Sequence, residues 1–137
     1  MASGKRIIEI AMENGATLAG IASMEALKVS SSHTIYNKMG DYAGVGTVKD
    51  GALPGHQLFN WPDSAMSLLV IGLSHPIDKR ELDWWDGKGT PGNRILIDII
   101  KRTSQQIENE LKINTHKIHY YVEKGGIFLK DAAVLAG

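Results

Sequence analysis

Between residues 92 and 114 (GNRILIDIIKRTSQQIENELKIN), Leu96, Ile100, Thr103, Ile107 and Leu111 recur every three to four residues. That is the period of a helix with one buried stripe. Ile95, Ile97 and Ile99 widen the stripe in its first half. Thr90-Pro91 or Asn93 can start the helix, since proline suits a first turn, and Asn114 can stop it. Such a stripe must be covered, and the flanking segments read as the sheet that covers it. Residues 66–73 (MSLLVIGL) are apolar on both faces, which predicts a central strand with layers on either side; Pro76 then closes it. In residues 117–122, Ile118, Tyr120 and Val122 alternate with His119 and Tyr121, which predicts another strand.

The remaining chain supplies shorter pieces. Residues 5–14 predict a helix whose apolar face holds Ile7, Ile8 and Ala11, with Gly15 just past its end. Residues 17–23 read as a strand, where Gly20 suggests a close neighbouring backbone. Residues 24–29 read as one more helical piece. Residues 30–60 are polar and glycine-rich, a long loop that either lines a cleft or is simply flexible. Residues 77–91 form a charged loop with adjacent Trp84 and Trp85, which cannot share one face of a regular element. Either one ring packs inward while the other meets a ligand or partner, or both pin the loop to its own domain. The order helix, strand, loop, strand, helix, strand and helix start predicts an α+β fold, a layered α/β sheet in one domain over residues 1–137.

Charge and composition exclude several functions. Fifteen basic and 15 acidic residues cancel, which argues against bulk electrostatic binding of nucleic acid. A local patch would have to come from Lys79, Arg80, Arg94, Lys101, Arg102, Lys112 and Lys117. With no cysteine there is no disulfide, thiolate metal site or iron–sulfur cluster in this stretch, as suits a cytoplasmic protein. No apolar run approaches the roughly 20 residues of a membrane helix. Gly44-Val45-Gly46 lacks the setting of a dinucleotide fingerprint. His116 and His119 would face opposite ways on a strand, His33, His56 and His75 are dispersed, and Ser30, Ser31 and Ser32 lack nucleophile-elbow glycines. No metal site is expected.

The candidate site is the end of the chain. Val122 and Glu123 end a strand, Gly125 and Gly126 turn, and residues 127–135 begin a helix. A carboxylate at a strand end facing such a turn lies where sheet proteins commonly meet ligands. The alternative for Glu123 is a solvated side chain or one capping the next helix. His75 also sits at a strand end, within a ligand's reach or merely structural. The final helix is cut short at Gly137, so a longer protein is expected.

Residues 82–99 (LDWWDGKGTPGNRILIDI) and 121–137 (YVEKGGIFLKDAAVLAG) together resemble the N-terminal domain of cobalamin-dependent epoxyqueuosine reductase-like proteins, relatives of corrinoid reductive dehalogenases. Glu123 falls at the family's strand-end aspartate, Ala136-Gly137 at its Ala-Gly, and Lys130 at a basic helix residue. Residues 52–55 and 66–73 are similar to its Leu-Pro-Gly turn and apolar strand. Gly92-Asn93-Arg94 stands where the family has Asp-Tyr-His. The resemblance implies a nitroreductase-like domain fragment facing base-off cobalamin, with Glu123 as catalytic acid and Gly125, Gly126, Lys130 and His75 at the cofactor. It implies a downstream partner domain with two [4Fe–4S] clusters, so this chain alone is not the complete oxidoreductase. The substrate stays open between tRNA, in tRNA modification, and a small molecule. The alternative is a non-catalytic corrinoid- or partner-binding module within a larger redox protein.

Overall fold

The computed structural model describes residues 3–35, 42–43, 47–48, 61–118 and 127–137. It is a mixed helix-and-strand chain, compatible with an α+β class. Its contacts gather into two compact units, Met1–Gly20 with Leu69–Lys117 and Ile21–Leu68 with Ile118–Gly137.

The first unit is built on two helices. Helix α1 spans Gly4–Glu13, with Ser3 as its N-cap accepting from the Arg6 N–H. It ends as glycine-terminated helices do: Ala16 N–H reaches Ala11 O and Gly15 N–H reaches Met12 O, both at 3.1 Å. Gly15 takes φ +105°, a conformation that costs glycine nothing. Helix α4 spans Pro91–Leu111, with Pro91 in its first turn and the Thr90 hydroxyl accepting from Asn93 N–H. Helices α1 and α4 pack together. Ala11, Ala16 and Ile99 form a buried cluster, against which Ala19, Leu69, Ile71 and Leu73 pack. Arg6 ties the rim of this contact, donating to both carboxylate oxygens of Glu110 (2.6 and 2.9 Å) and to Glu13 (2.7 Å).

The buried stripe of α4 is Gly92, Ile99, Thr103 and Ile107. Leu96, Ile100 and Leu111 are half-buried at its edges. Ile95 and Ile97, expected to widen the stripe, are exposed. Ile97, two residues from Ile99, lies on the opposite side of the helix, whereas Ile95 lies one turn before Ile99 on nearly the same side and is exposed all the same.

Strand β1 (Leu18–Ser23) pairs with β4 (Ser67–Gly72). Bonds from Thr17 N–H to Gly72 O and from Met24 N–H to Met66 O, each 3.0 Å, make the pairing antiparallel. Of the expected central, doubly covered strand, the double cover is corrected here. Among the described residues β4 has β1 as its neighbour, and none of its residues is fully buried. Of the expected strand over residues 117–122, Lys117 and Ile118 are not in a strand, and residues 119–122 lie outside the described residues.

In the second unit, α2 (Met24–Lys28) buries Met24 and Leu27 and is capped by the Ser23 hydroxyl. The expected loop over residues 30–60 holds a short helix, α3 (Ser31–Ile35), and two paired strands, β2 (Tyr42–Ala43) and β3 (Thr47–Val48), antiparallel with Tyr42 opposite Val48. Helix α5 spans Leu129–Ala136 and packs on α2. No helix among the described residues is long and apolar enough to cross a membrane.

Candidate functional site

The best-defined polar cluster lies where α3 meets the first turn of α5. Helix α2 ends as Ser30 N–H bonds Leu27 O at 3.0 Å, and α3 follows at once as Thr34 N–H bonds Ser30 O at 3.0 Å. The Ser30 hydroxyl then faces the side chain one turn on, His33, at 2.8 Å from Nδ1. The His33 side chain is only 1% exposed. Its Nε2 accepts the Phe128 N–H at 3.3 Å. The imidazole lies between two rings, tilted against Trp61 and edge-on to Phe128, each with centroids 5.3 Å away. The Lys28 ammonium sits over the Trp61 ring, 5.6 Å from its centroid.

Asp131 completes the cluster from the third residue of α5. It accepts the Ser30 hydroxyl (2.7 Å), the Ser32 N–H (2.9 Å) and the Ser32 hydroxyl (2.7 Å). An acid at this position usually reaches back to its own helix's N-cap N–H. Here that N–H, on Phe128, goes to His33 instead, and Asp131 takes donors from the α3 segment. The two segments thus exchange hydrogen bonds.

The pattern sets the proton positions. Because Nε2 accepts from an amide, the neutral ring carries its proton on Nδ1, and that proton goes to Ser30 Oγ. The Ser30 hydroxyl is then left to donate to Asp131. His33 therefore cannot draw a proton from Ser30, and the set is no nucleophilic triad in spite of its composition. Burial pushes the imidazole below its usual range, opposed by the Asp131 charge. Burial alone would raise the Asp131 carboxyl. The hydroxyls of Ser32 and Ser30, the Ser32 N–H and the charge of His33 together hold it below the usual range.

Of the residues expected at a cofactor, Lys130 is exposed on the first turn of α5, between the two tied residues Phe128 and Asp131. Glu123, Gly125 and Gly126 lie outside the described residues. The chain was compared with family models, curated proteins and solved structures. No match was found in any of the three.

His75 belongs to the first unit and is engaged. Its Nδ1 is 2.5 Å from Asp83 Oδ1. Its Nε2 would lie 2.4 Å from a Cβ placed on Gly92, so the ring rests on the glycine backbone at the start of α4. Glycine at 92 is what admits the ring there. The segment after it is tied as well: Asp86 N–H bonds Gly89 O at 3.0 Å, and the Arg94 guanidinium grips the Asp86 carboxylate with both terminal nitrogens. Between these ties Trp84 and Trp85 stand 65% and 73% exposed. Neither ring packs inward, which departs from both expectations for the pair. Of the expected basic patch, Arg94 is paired with Asp86 and Arg102 with Asp98.

The cluster of Ser30, Ser32, His33 and Asp131 was not legible beforehand. Ser30 and His33 sit three apart, a detectable one-turn pair, but Asp131 lies 101 residues from Ser30. No local pattern joins them.

Proposed function

We propose that this chain is the cobalamin-facing N-terminal domain of an iron–sulfur reductase of the epoxyqueuosine reductase-like type, with a nitroreductase-like fold and a cytoplasmic location. The observation that carries the reading is the position of α5. A helix opens at Leu129, shortly after Gly125-Gly126, and holds Lys130 out to solvent in its first turn, where the resemblance places a basic residue.

Lys130 fits the cofactor chemically. Its ammonium can meet an anionic group such as cobalamin's phosphodiester, and the positive end of the helix dipole adds to that attraction. His75 fits less well, because its Nδ1 is engaged by Asp83 and its ring is packed close to Gly92. The holding set is therefore Lys130 with Gly125 and Gly126. Bound cobalamin would supply the one-electron centre between the clusters of a downstream iron–sulfur domain and the substrate. Glu123 would hold the proton that the reduction consumes, a role served by a carboxyl with a raised pKa. The pairing of Arg94 and Arg102 with carboxylates reduces the basic patch open to tRNA, and the substrate class stays open between tRNA and a small molecule.

The test is a titration of the chain with cob(II)alamin followed by visible absorption. In the protein joined to its iron–sulfur domain, Glu123→Gln should abolish turnover and leave the cobalamin spectrum intact. Undiminished turnover would remove Glu123 from the mechanism, and no spectral change with the wild-type chain would refute the reading.

A second reading is a corrinoid- or partner-binding module without chemistry of its own. It is favoured by Trp84 and Trp85, large rings held in the open on a loop tied at both ends. Cobalamin binding with wild-type turnover in Glu123→Gln would select it.

A further inference from the structure

We propose that Ser30, Ser32, His33 and Asp131 are positioning residues for Lys130, acting through the hydrogen bonds that α3 and α5 exchange. The inference rests on the corrinoid reading of Lys130 and adds what holds that lysine in place.

Helix α5 has eight residues, and its N-cap, Phe128, makes no side-chain cap bond. A helix this short is marginal by itself in water. The place of its first turn is therefore set by what ties it from outside. Among the described residues two polar ties flank Lys130: the Phe128 N–H on His33 Nε2, and the Asp131 carboxylate on Ser30 and Ser32. Both are part-buried, where hydrogen bonds are poorly replaced by water. The donors to Asp131 are a backbone N–H and two short serine side chains, which have little freedom to follow a displaced helix. Loosening either tie would move the Lys130 backbone without touching its side chain.

Ser32 separates the roles most cleanly. It gives Asp131 both an N–H and a hydroxyl, so Ser32→Ala removes one hydrogen bond of this tie and leaves the N–H and Ser30 bonds in place. Ser32→Thr keeps the hydroxyl.

The experiment measures cob(II)alamin affinity of the full chain by visible absorption, with far-UV circular dichroism confirming that each variant is folded. Lys130→Ala should weaken binding about tenfold, as loss of one charged contact does. Ser32→Ala should weaken it about threefold to tenfold, and Ser32→Thr should restore it. The double variant Lys130→Ala/Ser32→Ala should bind no more weakly than Lys130→Ala alone, because a positioning residue has nothing left to position. A merely structural Ser32 would lower the melting temperature and leave this cycle additive. Wild-type affinity in Ser32→Ala, or additive losses in the double variant, would overturn the positioning role and leave the corrinoid reading standing. A wild-type chain that shows no spectral change would overturn both. Should Ser32→Ala not fold, Ser30→Ala takes its place in the same cycle with the same two outcomes.

Discussion

Replacing Asp131 by asparagine keeps the shape of the cluster and removes its charge. The carboxylate accepts three hydrogen bonds, two on Oδ2 and one on Oδ1. Asparagine can keep its oxygen toward Ser30 and the Ser32 N–H. Its amide nitrogen then faces the Ser32 hydroxyl, which must turn to accept. Hydrogen bonds to a charged partner are worth about 1.5–3 kcal/mol and neutral ones about 1 kcal/mol. Two bonds lose their charge assistance and the third is inverted, so the loss should be about 2–4 kcal/mol. Solvent screening takes little from this, because the Asp131 side chain is only 15% exposed. Against a typical stability of about 5–15 kcal/mol, that is a large fraction. Urea unfolding at pH 7 by far-UV circular dichroism measures it. A change below about 0.5 kcal/mol would show that the exchange does not hold the fold, against the bond-by-bond sum. Acid gives a second check. Burial keeps native His33 neutral while the unfolded chain takes up its proton near about pH 6.5, so stability falls as pH drops from there toward the lowered native value. The Asp131 contribution is present above the usual aspartate range and is lost only below about pH 4, as pH falls through its lowered native value. In the asparagine variant the charge that opposes the burial of His33 is gone, which lowers the histidine further. The gap between wild type and variant should therefore widen between the native His33 value and about pH 4, and narrow below it. A gap that shrinks steadily from pH 7 would contradict the assignment of charges.

Ile99→Ala should cost about 2–5 kcal/mol in urea unfolding, since the side chain is buried against Ala11 and Ala16; under about 1 kcal/mol would mean that the α1–α4 contact closes over the gap. Gly15→Ala should cost about 1–2 kcal/mol. The new Cβ would meet Ile99 at an ordinary 3.6 Å, so the strain comes from φ +105° alone; an unchanged thermal midpoint would refute it. Lys112 ends α4 in the left-handed region at φ 56°, so Lys112→Gly should raise stability by up to about 1 kcal/mol in thermal melts, and a loss would show that the lysine side chain outweighs its strain.

Helix α4 was expected over residues 92–114 and spans Pro91–Leu111; α1 was expected over 5–14 and spans Gly4–Glu13. Both were legible because periodicity, a threonine–proline start and a terminal glycine act between chain neighbours. The same holds for β1 and α2, while α5, expected over residues 127–135, spans Leu129–Ala136. Other features depend on what comes to lie beside a segment. Residues 66–73 read as a doubly covered strand because an apolar run does not say what will cover it, and none of the residues of β4 is fully buried. Trp84 and Trp85 were expected to include an anchor, and both are exposed, because the loop is tied instead by the pairs His75–Asp83 and Arg94–Asp86.

The candidate site divides in the same way. Lys130 on the first turn of a terminal helix was readable from the run of residues around it. The cluster that holds this turn was not, since Ser30, Ser32 and His33 look like ordinary polar residues of a loop until Asp131, about a hundred positions away, is brought against them. The sequence by itself determined the presence and approximate extent of α1, α2, α4 and α5, because caps and periods are satisfied within a few residues, while α3 lay inside the expected loop. Only the tertiary structure decided which buried polar groups find partners, because a group removed from water must be paired by whatever the packing places within about 3 Å.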